Sequence, residues 1–311
     1  MTPAPDPADS PGSLSIQTAL RKGLALINQH RKDWSAGAGE VTLAGSLSPG
    51  GTSNHSFLVY AGAETLVLRL DGVDPARNAI HRDTEFQVHA AAAAADLAPT
   101  PHFHDADAGV LLVDYIAPDP LPDVVKDPAS DVADLLRAIH ALRVDDAPRL
   151  SLAARIVHYE TQVRRRCRPA SADLMQIIAP PILRACQALD ADAAAGVICH
   201  NDLTPANRLY HGGRLYALDW EYAACGSRWF DLAVACDRQI TAPALLAAYL
   251  QRSPTARESA LFADSQRVAR YLELLWLACN TRFTEQQLHD GLCDLRAGLA
   301  AATTVESIRA N

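Results

Sequence analysis

Strand-like patterning in this chain is concentrated before residue 116, and helical patterning dominates after it. Val41–Leu47, Ser56–Tyr60 and Thr65–Leu70 are short apolar-rich runs. Ser48–Asn54 and Gly62 separate them, which predicts a three-strand meander with a glycine-rich first turn. Val110–Tyr115 adds a strand of the buried type, and Pro118–Pro122 reads as a linker. Apolar residues at helical spacing predict helices over Leu14–His30, Arg82–Asp96, Val132–Leu142, Leu152–Arg166, Ala172–Leu189 and from Trp229 onward, including Val268–Cys279. His102–Asp105 reads as a strand-end loop. The expected class is α+β, with a disordered tail over residues 1–13, a small β-rich lobe over 14–116 and a larger, mainly helical lobe over 117–311. Two lobes on one short linker leave a cleft, a common home for a ligand.

Composition narrows the function. Lys plus Arg total 28 against 36 Asp plus Glu, a net charge of −8, which argues against a nucleic-acid binder and suits a cationic small substrate. No run of about 18 apolar residues occurs, so no membrane span is expected. Seven cysteines lie scattered without a CxxC pair, as expected of reduced thiols in a cytoplasmic protein. The first twelve residues have neither the basic nor the apolar region of a signal peptide.

The chemistry concentrates in His200–Asn207 and the residues after it, up to Tyr222. Gly212-Gly213 is a strong hairpin signal. Folding back about it brings Asn207 beside Leu218 and Asp219, so an amide oxygen and a carboxylate meet at one end of the hairpin. Such hard oxygen ligands suit Mg²⁺. Asp202, on a loop bent by Pro205, is placed to orient a substrate hydroxyl and accept its proton. A solvated surface turn is the bland alternative, and HxDxxxxN with an Asp seventeen residues after Asp202 is more specific than that.

HNDLTPAN followed by LDWEYA resembles the signature of the choline/ethanolamine kinases within the aminoglycoside phosphotransferase superfamily, whose fold is protein-kinase-like. The resemblance runs from about Val41 to about Asp237. It implies that Asp202 is the catalytic base, that Asn207 and Asp219 hold Mg²⁺, and that Glu221 holds a second ion if the strand continues past Asp219. His200 braces the loop. Gly50, Gly51, Thr52, Ser53 and Asn54 match the family's nucleotide loop, whose backbone N–H groups can cradle the phosphates of ATP. Arg69, a lone cation on an apolar strand, matches the phosphate-holding residue, and Glu85 its ion-pair partner. Asp114 and Ile116 match the hinge that reads adenine through backbone groups. Asp231 matches a structural support of the catalytic loop. No Walker loop or protein-kinase GxGxxG is present.

The implied activity is transfer of the γ-phosphoryl group of ATP to a hydroxyl of a small cationic alcohol, choline- or ethanolamine-like. A thiamine kinase and an aminoglycoside or amino-sugar phosphotransferase are the alternatives, and a nucleotide-binding pseudokinase is the non-enzymatic one. Trp220, Tyr222, Trp229, Tyr271 and Trp276 are the aromatic candidates for an ammonium cage, with helix packing as their plainer role. His81, Glu85 and His89 share a helix face, but the phosphate-anchor helix accounts for Glu85 without a metal.

Overall fold

The computed structural model describes residues 11–34, 39–47, 53–120, 127–193, 196–281 and 283–310. Most of the expected tail, the nucleotide-loop residues Gly50, Gly51 and Thr52, and the end of the proline-rich linker therefore lie outside the described residues. The chain divides into two compact units, one made of residues 1–77 and 99–117, the other of 78–98 and 118–311.

In the first unit, α1 (Pro11–Gln29) and the short α2 (Arg31–Trp34) precede β1 (Val41–Ser46), β2 (Asn54–Ala61) and β3 (Glu64–Asp71). After α3 (Pro75–Asn78), which reaches the unit boundary, the chain returns as β4 (Pro101–Asp105) and β5 (Val110–Asp114). The five strands form an antiparallel sheet in the order β1-β2-β3-β5-β4. The predicted meander is present, joined by a two-residue turn at Gly62, whose φ of 65° favours glycine. Period-2 alternation sends Phe57, Val59, Leu66, Leu68, Leu70 and Leu112 to one face, where Ile27 of α1 completes the core. Gly23 lets α1 lie this close, since a Cβ there would sit 2.8 Å from a Leu70 methyl. Asn28 locks α1 to β1, donating to the Val41 carbonyl at 3.2 Å and accepting from the Val41 N–H at 2.8 Å. His102–Asp105, expected as loop, is strand instead: it belongs to β4, paired with β5 through an irregularity between Pro101 and Phe103.

The second unit contains α4 (Arg82–Ala94), α5 (Pro128–Ala141), α6 (Leu152–Arg164) and α7 (Pro169–Asp192). Then come β6 (Val197–Cys199), a 3₁₀ turn at Pro205–Asn207, β7 (Arg208–His211), β8 (Arg214–Ala217) and β9 (Ala224–Gly226). The last helices are α8 (Arg228–Val234), α9 (Ala242–Leu250), α10 (Ala256–Asn280) and α11 (Glu285–Ala310). Three of these helices start on explicit caps: at α5 Asp127 accepts from the Ser130 N–H with Pro128 in the first turn, at α6 Ser151 accepts from the Ala154 N–H, and at α10 Thr255 with Glu258 forms a capping box. One apolar core runs through the unit, including Ile139, Leu152, Ile156, Ile182, Val268 and Leu274. Val88 and Ala92 of α4, with Leu97 and Ala98, join that same core. Residues 78–98 therefore pack with the helical unit although they lie between two strands of the sheet, a division different from a single cut at residue 116. Among the described residues no helix is long and apolar enough to cross a membrane, and all seven cysteines are free.

Candidate active site

The catalytic-type loop is hung from one buried carboxylate. Antiparallel pairing of β6 with β9 delivers the chain to His200. There Asp231 of α8, fully buried, accepts from the His200 N–H at 2.8 Å and from the Asn201 N–H at 2.8 Å, while His140 Nε2 lies 3.0 Å from Oδ2. These donors hold the Asp231 carboxyl below its ordinary range against the opposing effect of burial. Asn201 adopts φ 63°, a left-handed conformation that Asn tolerates, and its amide nitrogen donates to the Tyr222 carbonyl at 3.0 Å. His140, Cys199 and Asp231 have ligand atoms within 4.8 Å of one another. Both carboxylate oxygens are already engaged, and burial pushes the Cys199 thiol, which donates to the Val197 carbonyl, well up, so His140 and Asp231 form a hydrogen-bonded brace beside Cys199 rather than a metal centre with it.

His200 is a brace too. Its Nε2 lies 3.0 Å from the Leu218 carbonyl, and its Nδ1 is 3.3 Å from the Asp202 N–H, so Nε2 must carry the proton and Nδ1 must accept. Burial lowers its pKa, in keeping with that neutral ring. The ring packs on Trp220 at a centroid distance of 4.7 Å.

The hairpin forms as the glycines dictate, with Gly212 and Gly213 at φ 58° and 75°. β7 pairs with β8 from Arg208↔Ala217 to His211↔Arg214, and the Leu218 N–H donates to the Asn207 carbonyl at 2.9 Å. Asn207 Nδ2 donates to both the Asp202 carbonyl and the Asp202 carboxylate, each at 2.8 Å. The amide is thus oriented with its nitrogen on Asp202, which leaves Oδ1 as the group to present to a cation. Arg208 clamps the same loop, donating to the Leu203 carbonyl at 2.7 Å and to Asp237 at 2.9 Å.

Asp202 is pushed well above the ordinary carboxylate range, first by burial and then by the nearby charges of Asp219 and Glu221. So much negative charge at one loop, beside an oriented amide oxygen, is the donor chemistry of a Mg²⁺ site. Asn207 and Asp219 fit that ion. Glu221 fits it less well, which corrects the expectation that it follows Asp219 along a strand. β8 ends at Ala217, and Asp219 at φ 61° breaks the alternation. Glu221, 3% exposed, lies 3.2 Å from Arg82, which also pairs with Glu85 at 2.7 Å. Glu221 is thereby neutralised by a buried guanidinium.

A family model described as the phosphotransferase enzyme family matches residues 46–263, more than half of the sequence. The chain belongs to the phosphotransferase enzyme family. Its fold is that of solved members. A choline/ethanolamine kinase family protein from Mesorhizobium loti aligns with 21% identity and a TM-score of 0.66 over 91% of this chain and 94% of that one. Choline kinase LicA from Streptococcus pneumoniae aligns with 18% identity and a TM-score of 0.68 over 92% and 99%. The ADP-bound aminoglycoside phosphotransferase APH(2'')-Ib aligns with 15% identity and a TM-score of 0.58 over 87% and 96%. No curated protein sequence matches the chain. Fold class and family thus agree with the resemblance read from HNDLTPAN and LDWEYA, and the enzyme is a phosphotransferase.

The other candidates of this phosphotransferase separate into the two units. In the first, Asn54 opens β2 opposite Asp71, and the Ser53 carbonyl accepts from the Gly72 N–H at 2.9 Å. Arg69 is buried on β3 opposite Ser56 and Leu111. Asp114 ends β5, where its N–H donates to the Thr100 carbonyl at 2.9 Å and its carboxylate meets His102 at 2.6 Å; half-buried Ile116 follows. In the second unit, Glu85 has Arg82 as an ion-pair partner that sequence reasoning did not name.

The aromatic cage expected from sequence is mostly core. Trp220 and Tyr271 are 0% exposed and Trp229 is 4% exposed, with Trp220 donating to the Ala217 carbonyl and Trp229 to Asp192. They are corrected here to packing residues. Tyr222 and Trp276 remain together, the indole N–H donating to the Tyr222 hydroxyl at 2.9 Å. Over the Tyr222 ring, at 5.3 Å from its centroid, stands the guanidinium of Arg155, absent from the sequence reading.

Proposed function

We propose that this enzyme transfers the γ-phosphoryl group of ATP to a hydroxyl of a small alcohol. The observation that carries the reading is the Asn207 amide, which fixes the Asp202 carboxylate at 2.8 Å while the hairpin brings Asp219 to the same place. In the transfer the acceptor oxygen forms a bond to the γ-phosphorus, the bond from that phosphorus to the β–γ bridging oxygen breaks, and ADP leaves. The hydroxyl proton passes to Asp202, oriented by Asn207 and by the braced loop. Asn207 and Asp219 would hold Mg²⁺. When bound, that ion neutralises the charge on the phosphates. Arg69 and the segment around Ser53 and Asn54 serve the phosphates, and the Asp114 carbonyl with the Ile116 N–H serves the adenine edge.

For the acceptor, the names of two structural relatives support an amino-alcohol such as choline or ethanolamine. A quaternary ammonium needs an open aromatic face near Asp202. The Tyr222 ring, whose phenol is raised first by burial and then by the nearby charge of Glu221, already carries Arg155. The test is ADP release from Mg-ATP with a panel of alcohols, beside Asp202→Asn. Acceptor-stimulated release that is abolished in the variant supports the reading; equal release by the variant removes Asp202 from the role.

A further inference from the structure

Arg155 sits on α6, whose Ser151 cap and Leu152 and Ile156 contacts fix the helix in the core. Its guanidinium lies 5.3 Å from the centroid of the Tyr222 ring, and the Tyr222 carbonyl accepts from Asn201, next to the candidate base in sequence. Among the described residues the Arg155 side chain has no hydrogen bond or ion pair, and its Nε is buried without an acceptor. The groups that attract it are Tyr159, Tyr222 and Asp202. The two phenols are neutral: Tyr159 donates to Asn78 at 3.0 Å and is pushed up to about 12 by burial, and Tyr222 is raised as well. Asp202 attracts Arg155 through space but makes its close contacts with Asn207. Arg155 is half-buried, and a guanidinium with a buried Nε and no anion paired to it is better satisfied when an anion joins it. It also occupies the ring face that an ammonium would need.

We infer that Arg155 is a specificity-determining residue, and that the alcohol presented to Asp202 carries an anionic oxygen group that Arg155 receives. The inference rests on the reading of Asp202 as the group that meets the acceptor hydroxyl. A bidentate guanidinium contact suits a carboxylate or a phosphate equally.

The test uses acceptors matched in shape and varied in charge: glycerol, glycerate and glycerol 3-phosphate; glucosamine, glucose and glucuronate; and choline. Binding by calorimetry with Mg-ADP present, and kcat/KM with Mg-ATP, are measured for the full-length enzyme, Arg155→Lys and Arg155→Met, with circular dichroism to show that each variant folds. An anionic member is expected to exceed its neutral counterpart by about tenfold or more. Arg155→Met should abolish that preference, chiefly through KM, and Arg155→Lys should restore part of it. Glycerate against glycerol 3-phosphate separates the two anion types. Highest kcat/KM for choline or glucosamine, unchanged in Arg155→Met, overturns the inference, as does binding of every anionic probe that is absent or identical in enzyme and variant. Arg155-dependent binding of an anion without ADP release from any acceptor would refute the transfer reaction and leave the anion site standing.

Discussion

Replacing Asp231 by Asn tests whether one carboxylate organises the catalytic-type loop. Asp231 is 0% exposed, with Oδ1 on the Asn201 N–H and Oδ2 on the His200 N–H, both at 2.8 Å. An asparagine keeps one oxygen acceptor. Its Nδ2 would face the other backbone N–H, donor against donor, where no water can intervene. The loss is one hydrogen bond to a charge, about 1.5–3 kcal/mol, and one unsatisfied buried N–H, about 1–3 kcal/mol. We expect Asp231→Asn to cost about 3–5 kcal/mol in urea unfolding followed by circular dichroism, with an unchanged slope, and turnover to fall because Asp202 loses its support. Melting should drop by roughly 6–20 °C. A deficit below about 1 kcal/mol with normal turnover would refute the reasoning, because the loop would then hold without the carboxylate.

Other outcomes follow from the same geometry. Arg82→Met leaves Glu85 and Glu221 buried without their shared cation and should destabilise by about 3–5 kcal/mol in urea; adding Glu85→Gln and Glu221→Gln should recover part of it. Asp202→Asn should abolish turnover yet bind Mg-ADP by calorimetry as the parent does. The His102–Asp114 pair raises His102 and lowers Asp114. Its stabilisation is full between the unfolded values of about 4 and 6.5, fades as pH rises through the raised His102 value, and fades as pH falls through the lowered Asp114 value. Because both side chains are partly exposed, His102→Asn should cost less than about 1 kcal/mol at pH 5.5 and still less at pH 8.5, compared by urea titration.

Much of this molecule is legible in its sequence because the deciding signals are local. Gly212-Gly213 fixes the hairpin, the hairpin fixes Asn207 against Leu218, and alternation fixes the sheet core. What was not legible depends on distance or on a single dihedral. β4 opens with proline, carries polar His102, His104 and Asp105, and pairs irregularly, so its alternation is hidden. Asp219 turns left-handed just past β8, which redirects Glu221 to an arginine 139 residues earlier. Trp220 and Tyr271 carry no mark in sequence that separates a cage from a core. Arg155 looks like an ordinary helix cation until α6 sets it over a ring 67 residues later, and a cation at i+3 from a helix start gave no cue.

The central claim is phosphoryl transfer to an alcohol with Asp202 facing the reacting hydroxyl. Phosphorus NMR of the reaction with Mg-ATP and the acceptor panel tests it most directly. The parent enzyme should give a phosphomonoester resonance that grows with ADP and is absent with Asp202→Asn. Inorganic phosphate as the sole product, or the same phosphomonoester at the same rate from Asp202→Asn, would contradict it.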